Sequence, residues 1–248
     1  MPEKAKVQAD FARAAENYGA HADLQKTVAE ELVKFSGNYL ADRDIIDLGS
    51  GTGYLKEILQ TNQITEVDIA FAMCRKSAEK GGVQINADME NLPFKNAAFA
   101  AAISSMALQW LDGLKKVFAE TARVIQPGGI FAFAVVGEGT LYELSESLEK
   151  CGAGKRTNNF FSAEEIKDEL RQDFILLDYK PENIINHYRD IFDLQRKIRA
   201  IGARRKGMAT YFGKEKALMV DDYYRENYSA DGRIRATWKL HYFVARKR

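Results

Sequence analysis

Short apolar runs alternate with segments of helical periodicity through the middle of the chain. Leu24, Val28, Leu32 and Phe35 recur at helical spacing within an Ala- and Leu-rich stretch, so Asp10 to Phe35 is predicted as one helix. Asp44 to Leu48 is a short buried strand that runs into Gly49-Ser50-Gly51-Thr52-Gly53, and a helix follows over Tyr54 to Gln60. Further strands are predicted at Ile64–Ile69, Val83–Asn86, Phe99–Ser104 and Ile130–Val136. Helices are predicted between them at Ala72–Lys80 and Gly113–Val124, the first stopped by Gly81-Gly82 and the second by the turn Gln126-Pro127-Gly128-Gly129. The remainder gives helices at Leu141–Lys150 and Ala163–Leu170, a strand from Phe174, helices at Ile191–Ile201 and Lys214–Tyr228, and a last strand at Ile234–Val244.

This order predicts an α/β fold: a doubly wound, mostly parallel, Rossmann-like sheet of seven strands, with an N-terminal helix and a helical insertion before the last strand. The whole chain, 1–248, reads as one domain. Residues 1–36 form a helical lid, 37–180 the core, 185–230 an inserted cap and 233–246 the closing strand.

The charge balance narrows the function classes. Lys+Arg 36 against Asp+Glu 35 leaves a formal charge of +1, so no global field draws nucleic acid or an anionic membrane. No apolar run approaches the ~20 residues of a membrane span, and the N-terminus is charged. The expectation is a soluble, cytoplasmic monomer. Cys74 and Cys151 stand far apart, outside any metal-ligand spacing, and read as ordinary thiols in a reducing compartment with no metal site.

The sharpest chemical signal is the glycine segment between a strand and a helix. The chain must turn tightly there while its backbone passes close to a ligand, and glycines permit both. The candidate positions are Asp47, Gly49, Ser50, Gly51 and Gly53. The spacing is GxGxG, one residue shorter than the dinucleotide pattern, and no GxxxxGK[ST] loop or Gly-x-Ser-x-Gly elbow is present. Asp68 ends the second strand, where a carboxylate can accept hydrogen bonds from both hydroxyls of a ribose, with Ile69 beside it. Asp88 and Met89 follow the third strand, where Asp88 also suits a cap over Glu90-Asn91.

GxGxG after an acidic strand end resembles motif I of the class I S-adenosylmethionine-dependent methyltransferases. The resemblance implies that the loop wraps the amino-acid part of S-adenosylmethionine. It also implies that Asp88 faces the adenine amino group, that the Met89 backbone lies along the ring, and that the loop at Ser104-Ser105, with Ser104 as the cofactor candidate, passes beside the methyl group. A more specific likeness runs nearly end to end. Phe11-Ala12-Arg13-Ala14-Ala15-Glu16-Asn17-Tyr18, Leu108-Gln109-Trp110, Gly139-Thr140-Leu141-Tyr142-Glu143-Leu144, Ile201-Gly202-Ala203 and Thr237-Trp238-Lys239-Leu240 resemble the malonyl-acyl-carrier-protein O-methyltransferases of biotin synthesis. The sequence departs from that pattern at Ser50, Thr52, Ala70, Phe71, Trp238 and Lys239.

That likeness implies a carboxylate methylated by S-adenosylmethionine, with S-adenosylhomocysteine as product and an acyl carrier protein as partner. A malonyl carboxylate is already ionised at neutral pH, so no general base is required and catalysis rests on alignment and exclusion of water. Tyr18, His21 and Gln109 are then expected near the methyl group, and Arg13 and Gln25 at the cofactor carboxylate. Trp110 is expected in the pocket wall, and Arg199, Arg204 and Arg205, in a basic cluster with Arg196, Lys197 and Lys206, at the substrate or its acidic, phosphate-linked carrier. Two other readings stay open. One is O-methylation of a free small acid resembling aconitate. The other is a cofactor-binding assembly factor that methylates no carboxylate. RNA methylation is disfavoured, because Ser104-Ser105-Met106-Ala107 stands where amino-directed base methylases carry an Asn/Asp-Pro-Pro-aromatic loop.

Overall fold

The computed structural model describes residues 3–41, 43–60, 63–154, 160–201 and 214–248. Three helices precede the sheet: α1 (Glu3–Ala14), α2 (Tyr18–His21) and α3 (Asp23–Leu40). The single helix expected over Asp10–Phe35 is therefore broken twice. Asn17 and Gly19 are weak helix formers, and Ala22 leaves helical geometry at φ −93°, ψ 33°. The break has a packing reason. Phe11 and Tyr18 face a cavity, while Leu24, Val28 and Leu32 are buried against the sheet, and one straight helix cannot aim both stripes. The N-terminal helix also begins seven residues before the expected start, carrying Lys4 and Val7 onto the cavity wall.

The core then alternates β1 (Ile45–Leu48), α4 (Tyr54–Leu59), β2 (Ile64–Asp68), α5 (Phe71–Ala78), β3 (Val83–Asn86), β4 (Phe99–Ser105), α6 (Lys115–Val124) and β5 (Ile125–Val136). After it come α7 (Tyr142–Lys150), α8 (Ala163–Leu170), β6 (Phe174–Tyr188), α9 (Ile191–Ala200), α10 (Lys214–Tyr228), β7 (Ser229–Ala230) and β8 (Arg233–Lys247). The sheet runs β3-β2-β1-β4-β5-β8-β6, parallel except for β8, which is antiparallel to both neighbours. Seven strands make this path, and two-residue β7 pairs with β8 beside it. Two lengths exceed expectation. β6 runs on to Tyr188 along β8, and the Gln126–Gly129 turn sits inside β5 as a bulge between the Phe99 and Ala101 pairings.

Alternation along the strands fills two cores. Ile45, Ala101, Ile103, Ala132 and Tyr242 face α3, whereas Ile46, Ala102, Phe131, Phe133 and Phe243 face α6 and α8. Phe133 stacks on Phe243 at 4.8 Å between ring centroids. Strand order reverses between β1 and β4, so a crevice opens at their carboxyl ends, where ligands of open α/β sheets bind.

One buried polar joint explains two of the sequence stretches singled out above. The Glu143 carboxylate on α7 is fully buried and accepts hydrogen bonds from the Thr237 N–H at 3.2 Å and the Thr237 hydroxyl at 2.5 Å. Thr140 Oγ1 accepts from the Lys239 N–H at 2.9 Å, and the Leu141 N–H donates to the Thr237 carbonyl at 2.7 Å. Gly139-Thr140-Leu141-Tyr142-Glu143 thus clamps Thr237-Trp238-Lys239, which holds Trp238 over an apolar cavity.

Candidate active site

The crevice holds a cavity of about 710 Å³. Gly49 and Gly51 come from the end of β1, Asp68 and Ile69 from the end of β2, Asp88 and Met89 from the segment after β3, and Ser105 from the end of β4. Phe11, Tyr18 and Trp110 close it from the helical side.

The glycines do three different jobs. A Cβ on Gly49, at φ +77°, would lie 2.3 Å from Ala107 Cβ, so this position lets β1 and the segment after β4 approach. A Cβ on Gly53, at φ +78°, would strike Ser77 Oγ at 2.2 Å and Glu66 Oε1 at 2.6 Å; this glycine docks the loop on its own scaffold. A Cβ on Gly51 would meet nothing within 4 Å and would project into open space on the cavity wall. Only Gly51 leaves room for a ligand.

Asp68 ties the loop to the second strand. Its Oδ2 accepts from the Gly51 N–H at 2.9 Å and its Oδ1 from the Ala70 N–H at 2.7 Å. Burial outweighs these two bonds and raises the carboxyl from 3.8 to about 6. Asp47 lies under the loop, fully buried, with both oxygens lacking a hydrogen-bond partner. Burial first, then the Glu66 and Asp68 carboxyls, push it well above the ordinary carboxylate range. Asp47 lines neither this cavity nor its continuation, and burial favours its neutral acid form beneath the glycine cradle. Unpartnered hydroxyls of Ser50 and Ser105 stand in the same region.

A second cavity, of about 760 Å³, continues past Gly49 and Gly51 along α3 and α4. Gln25, Lys26, Tyr54, Glu57 and Lys80 line it. Lys26 donates to the Gly19 carbonyl at 2.8 Å and Lys80 to the Thr52 carbonyl at 2.8 Å. Lys26 and Lys80, the latter paired with Glu57 at 2.6 Å, stand at the end away from the apolar slot formed by Ile69, Met89 and Leu111. A ligand with a flat ring, a ribose diol and a charged amino-acid tail fits these two spaces.

Three aromatic rings meet on the helical side of the cavity. Phe11 packs edge-on to Trp110 at 5.4 Å, and Tyr18 is 6.4 Å from Phe11. Burial, with Asp68 adding to it, raises the Tyr18 phenol above its ordinary range, so it stays a neutral hydrogen-bond donor. Aromatic faces also favour a neighbouring cation such as a sulfonium.

Not every candidate residue reaches this cavity. Tyr18, Gly49, Gly51, Asp68, Ile69, Asp88, Met89 and Trp110 line it, Ser50 and Gln25 line its continuation, and Gln109 lines the apolar cavity behind Trp110. Asp47 and Gly53 support the loop from below. Ser104 turns away: its buried hydroxyl donates to the Leu48 carbonyl at 2.7 Å, and Ser105, one residue on and on the opposite face, takes the cavity position. Asp88 caps the Glu90 N–H at 2.9 Å and pairs with Lys4 at 2.5 Å, so α1 is tied down over this end. Arg13, exposed and paired with Asp10, instead lines a separate cavity with His21 and Arg199, because α1 turns that face away from the loop. Arg204 and Arg205 lie outside the described residues.

Lys4, Lys26 and Lys80 also line these cavities and were not expected from sequence. The spacing of Val7, Phe11 and Tyr18 carries the signal that would have extended the first helix back to Lys4. The two basic residues of the tail end carry none, because their role depends on the α3–α4 approach.

Residues 46–133 match the family model described as a methyltransferase domain. The malonyl-[acyl-carrier protein] O-methyltransferase of Geobacter sulfurreducens is 30% identical, covering 100% of this chain and 100% of that protein. That of Laribacter hongkongensis is 30% identical, over 97% of this chain and 88% of that protein. The biotin biosynthesis bifunctional protein BioHC of Teredinibacter turnerae is 32% identical over 98% of this chain, which spans 47% of that longer protein. Among solved structures, the YcgJ protein of Bacillus subtilis superposes with a TM-score of 0.64 at 16% identity, covering 89% of this chain and 98% of that one. A Thermotoga maritima methyltransferase described as a possible histamine N-methyltransferase gives 0.59 at 16% identity, over 97% and 99%. These two likenesses speak to the fold.

Proposed function

Because the chain belongs to the malonyl-[acyl-carrier protein] O-methyltransferase family, we propose that it transfers the methyl group of S-adenosylmethionine to the free carboxylate of a malonyl thioester on an acyl carrier protein. The product is the methyl ester that enters biotin synthesis. The observation that carries the reading is the open Gly51 cradle held by Asp68 at the end of the sheet.

When bound, S-adenosylmethionine supplies a methyl group activated by its sulfonium charge. Asp68 retains lone pairs for the ribose hydroxyls while it holds the Gly51 and Ala70 N–H groups. Ile69, Met89 and Leu111 form the slot for the adenine ring, and Asp88 borders it. Lys26 and Lys80 stand at the carboxylate end of the tail. Tyr18 donates to one oxygen of the malonyl carboxylate and leaves the other aimed at the methyl carbon. Phe11 and Trp110 exclude water, so the carboxylate attacks partly desolvated. The O–CH₃ bond forms as the S–CH₃ bond breaks, and the carboxylate and sulfonium charges cancel. No residue needs to move a proton. Arg13, His21 and Arg199, grouped on one separate cavity, belong to the outer surface facing the partner and not to the methyl-transfer step.

The enzyme acts in the cytoplasm as a monomer, with the carrier protein as partner; no described helix is long and apolar enough to cross a membrane. Mass spectrometry of malonyl carrier protein incubated with the protein and S-adenosylmethionine tests the reading. A gain of one methyl group on the malonyl moiety is expected. Methylation of a free dicarboxylic acid in preference to the carrier thioester, or cofactor binding with no methylated carrier, refutes it.

A further inference from the structure

The cofactor cavity does not end at the reacting centre. Phe11, Tyr18, Met106 and Trp110 stand on its wall and also on that of an apolar cavity of about 430 Å³. Gln25, Ile198, Ile201 and Trp238 are shared between this apolar cavity and a third space of about 940 Å³. Shared walls place the apolar cavity between the other two. The third space reaches the surface, because exposed Asp23, His187, Lys197 and Arg233 line it.

The chemistry changes along this passage. Its inner end is aromatic, with Phe11, Tyr18 and Trp110. Its middle is apolar, with Val136, Ile198, Ile201 and Trp238, the last held by the Glu143 clamp. Two polar groups stand at the junction, the Trp238 indole N–H and the Gln25 carboxamide, whose Oε1 is buried with no hydrogen-bond partner. The outer end is cationic: Lys197 and Arg233 face it with His21 and His187, and Asp23 is the carboxylate among them. Lys197 Nζ stands 5.7 Å from the Tyr188 ring at this mouth. Neither Lys197 nor Arg233 pairs with a carboxylate among the described residues. The separate cavity of Arg13 and Arg199 shares only His21 with the mouth and nothing with the apolar middle, so it lies off this path.

We infer that this passage is the route of the carrier-borne arm, and that Lys197 and Arg233 receive the phosphodiester by which the arm is attached to its carrier. The inference rests on the malonyl-carrier reading above. The malonyl group reaches the aromatic end. The branched alkyl and methylene carbons of the arm lie in the apolar middle. Gln25 Oε1 accepts an amide N–H of the arm, which satisfies its otherwise unpartnered atom. The acidic carrier docks over the mouth, where the exposed face of α9 adds Arg199 to the positive field, Arg196 beside it being paired with Asp193 at 3.6 Å. A free small acid uses none of the length or charge of this passage.

The test is the double variant Lys197→Glu/Arg233→Glu, both exposed positions, with retained fold checked by circular dichroism. Three substrates are compared: malonyl carrier protein, malonyl-coenzyme A, and the malonyl thioester of N-acetylcysteamine, which lacks both phosphate and carrier. The ratio of kcat/KM for the carrier to that for the short thioester falls about tenfold or more, through KM, and the deficit shrinks as salt is raised. Equal losses on carrier and short thioester overturn the route, and equal losses on carrier and coenzyme A thioesters overturn carrier docking at this mouth. Wild-type protein that turns over no malonyl thioester refutes the parent reading, and the route with it.

Discussion

Replacing Asp68 by asparagine separates the charge of this residue from its shape. In the folded chain the carboxyl is raised from 3.8 to about 6 by burial, although it accepts hydrogen bonds from Gly51 and Ala70. At 1.36 kcal/mol per pH unit, a rise of that size corresponds to about 3 kcal/mol. The sign follows from proton counting. Between pH 3.8 and about 6 the folded state holds a proton that the unfolded state has released, so stability falls as pH rises through this window. Above it the ionised group opposes folding by the full amount. Asparagine removes that cost but turns an amide NH₂ toward one of the two backbone donors, at about 1–3 kcal/mol. The two effects nearly cancel, and the urea midpoint at neutral pH shifts little.

Cofactor binding does not cancel in this way. Two charge-assisted bonds from the ribose hydroxyls, at about 1.5–3 kcal/mol each, are weakened or lost. A net loss of about 3 kcal/mol is about 100-fold in Kd. Isothermal titration with S-adenosylhomocysteine reads this directly. The wild-type protein also loses affinity as pH is lowered through about 6, because a proton then occupies the group that accepts from the sugar. Asp68→Asn abolishes that pH dependence. A variant that binds within about threefold of wild type, or wild-type affinity that is flat across this window, refutes the reasoning.

Gly49→Ala places a Cβ 2.3 Å from Ala107 Cβ at φ +77°, and left-handed strain with overpacking predicts about 2–4 kcal/mol of lost stability; an unchanged urea midpoint contradicts it. Tyr18→Phe removes the neutral donor proposed for the substrate carboxylate. It lowers kcat/KM for the carrier substrate about tenfold, while affinity for S-adenosylhomocysteine moves less than about threefold; equal losses in both assign Tyr18 to the cofactor alone.

The sequence alone determined the doubly wound core, because strand and helix periodicities and glycine stops are local properties that survive in any compact arrangement. It also located Gly49 to Gly53, Asp68 and Asp88, because each sits at the end of a strand, where chain position predicts position in space. Tertiary structure decided which side of each element lines the cavity. The choice between Ser104 and Ser105 turned on the facing of one strand end. The fate of Arg13 turned on where α1 broke from α3, and the single helix expected there missed the break because its cause is two cores that pull adjacent turns in different directions. The passage from Tyr18 to Lys197 was invisible in sequence for the same reason. Its walls come from α1, α2, α3, β5, β6, α9 and β8, which meet only after the sheet has formed, and no local pattern encodes a space between distant elements.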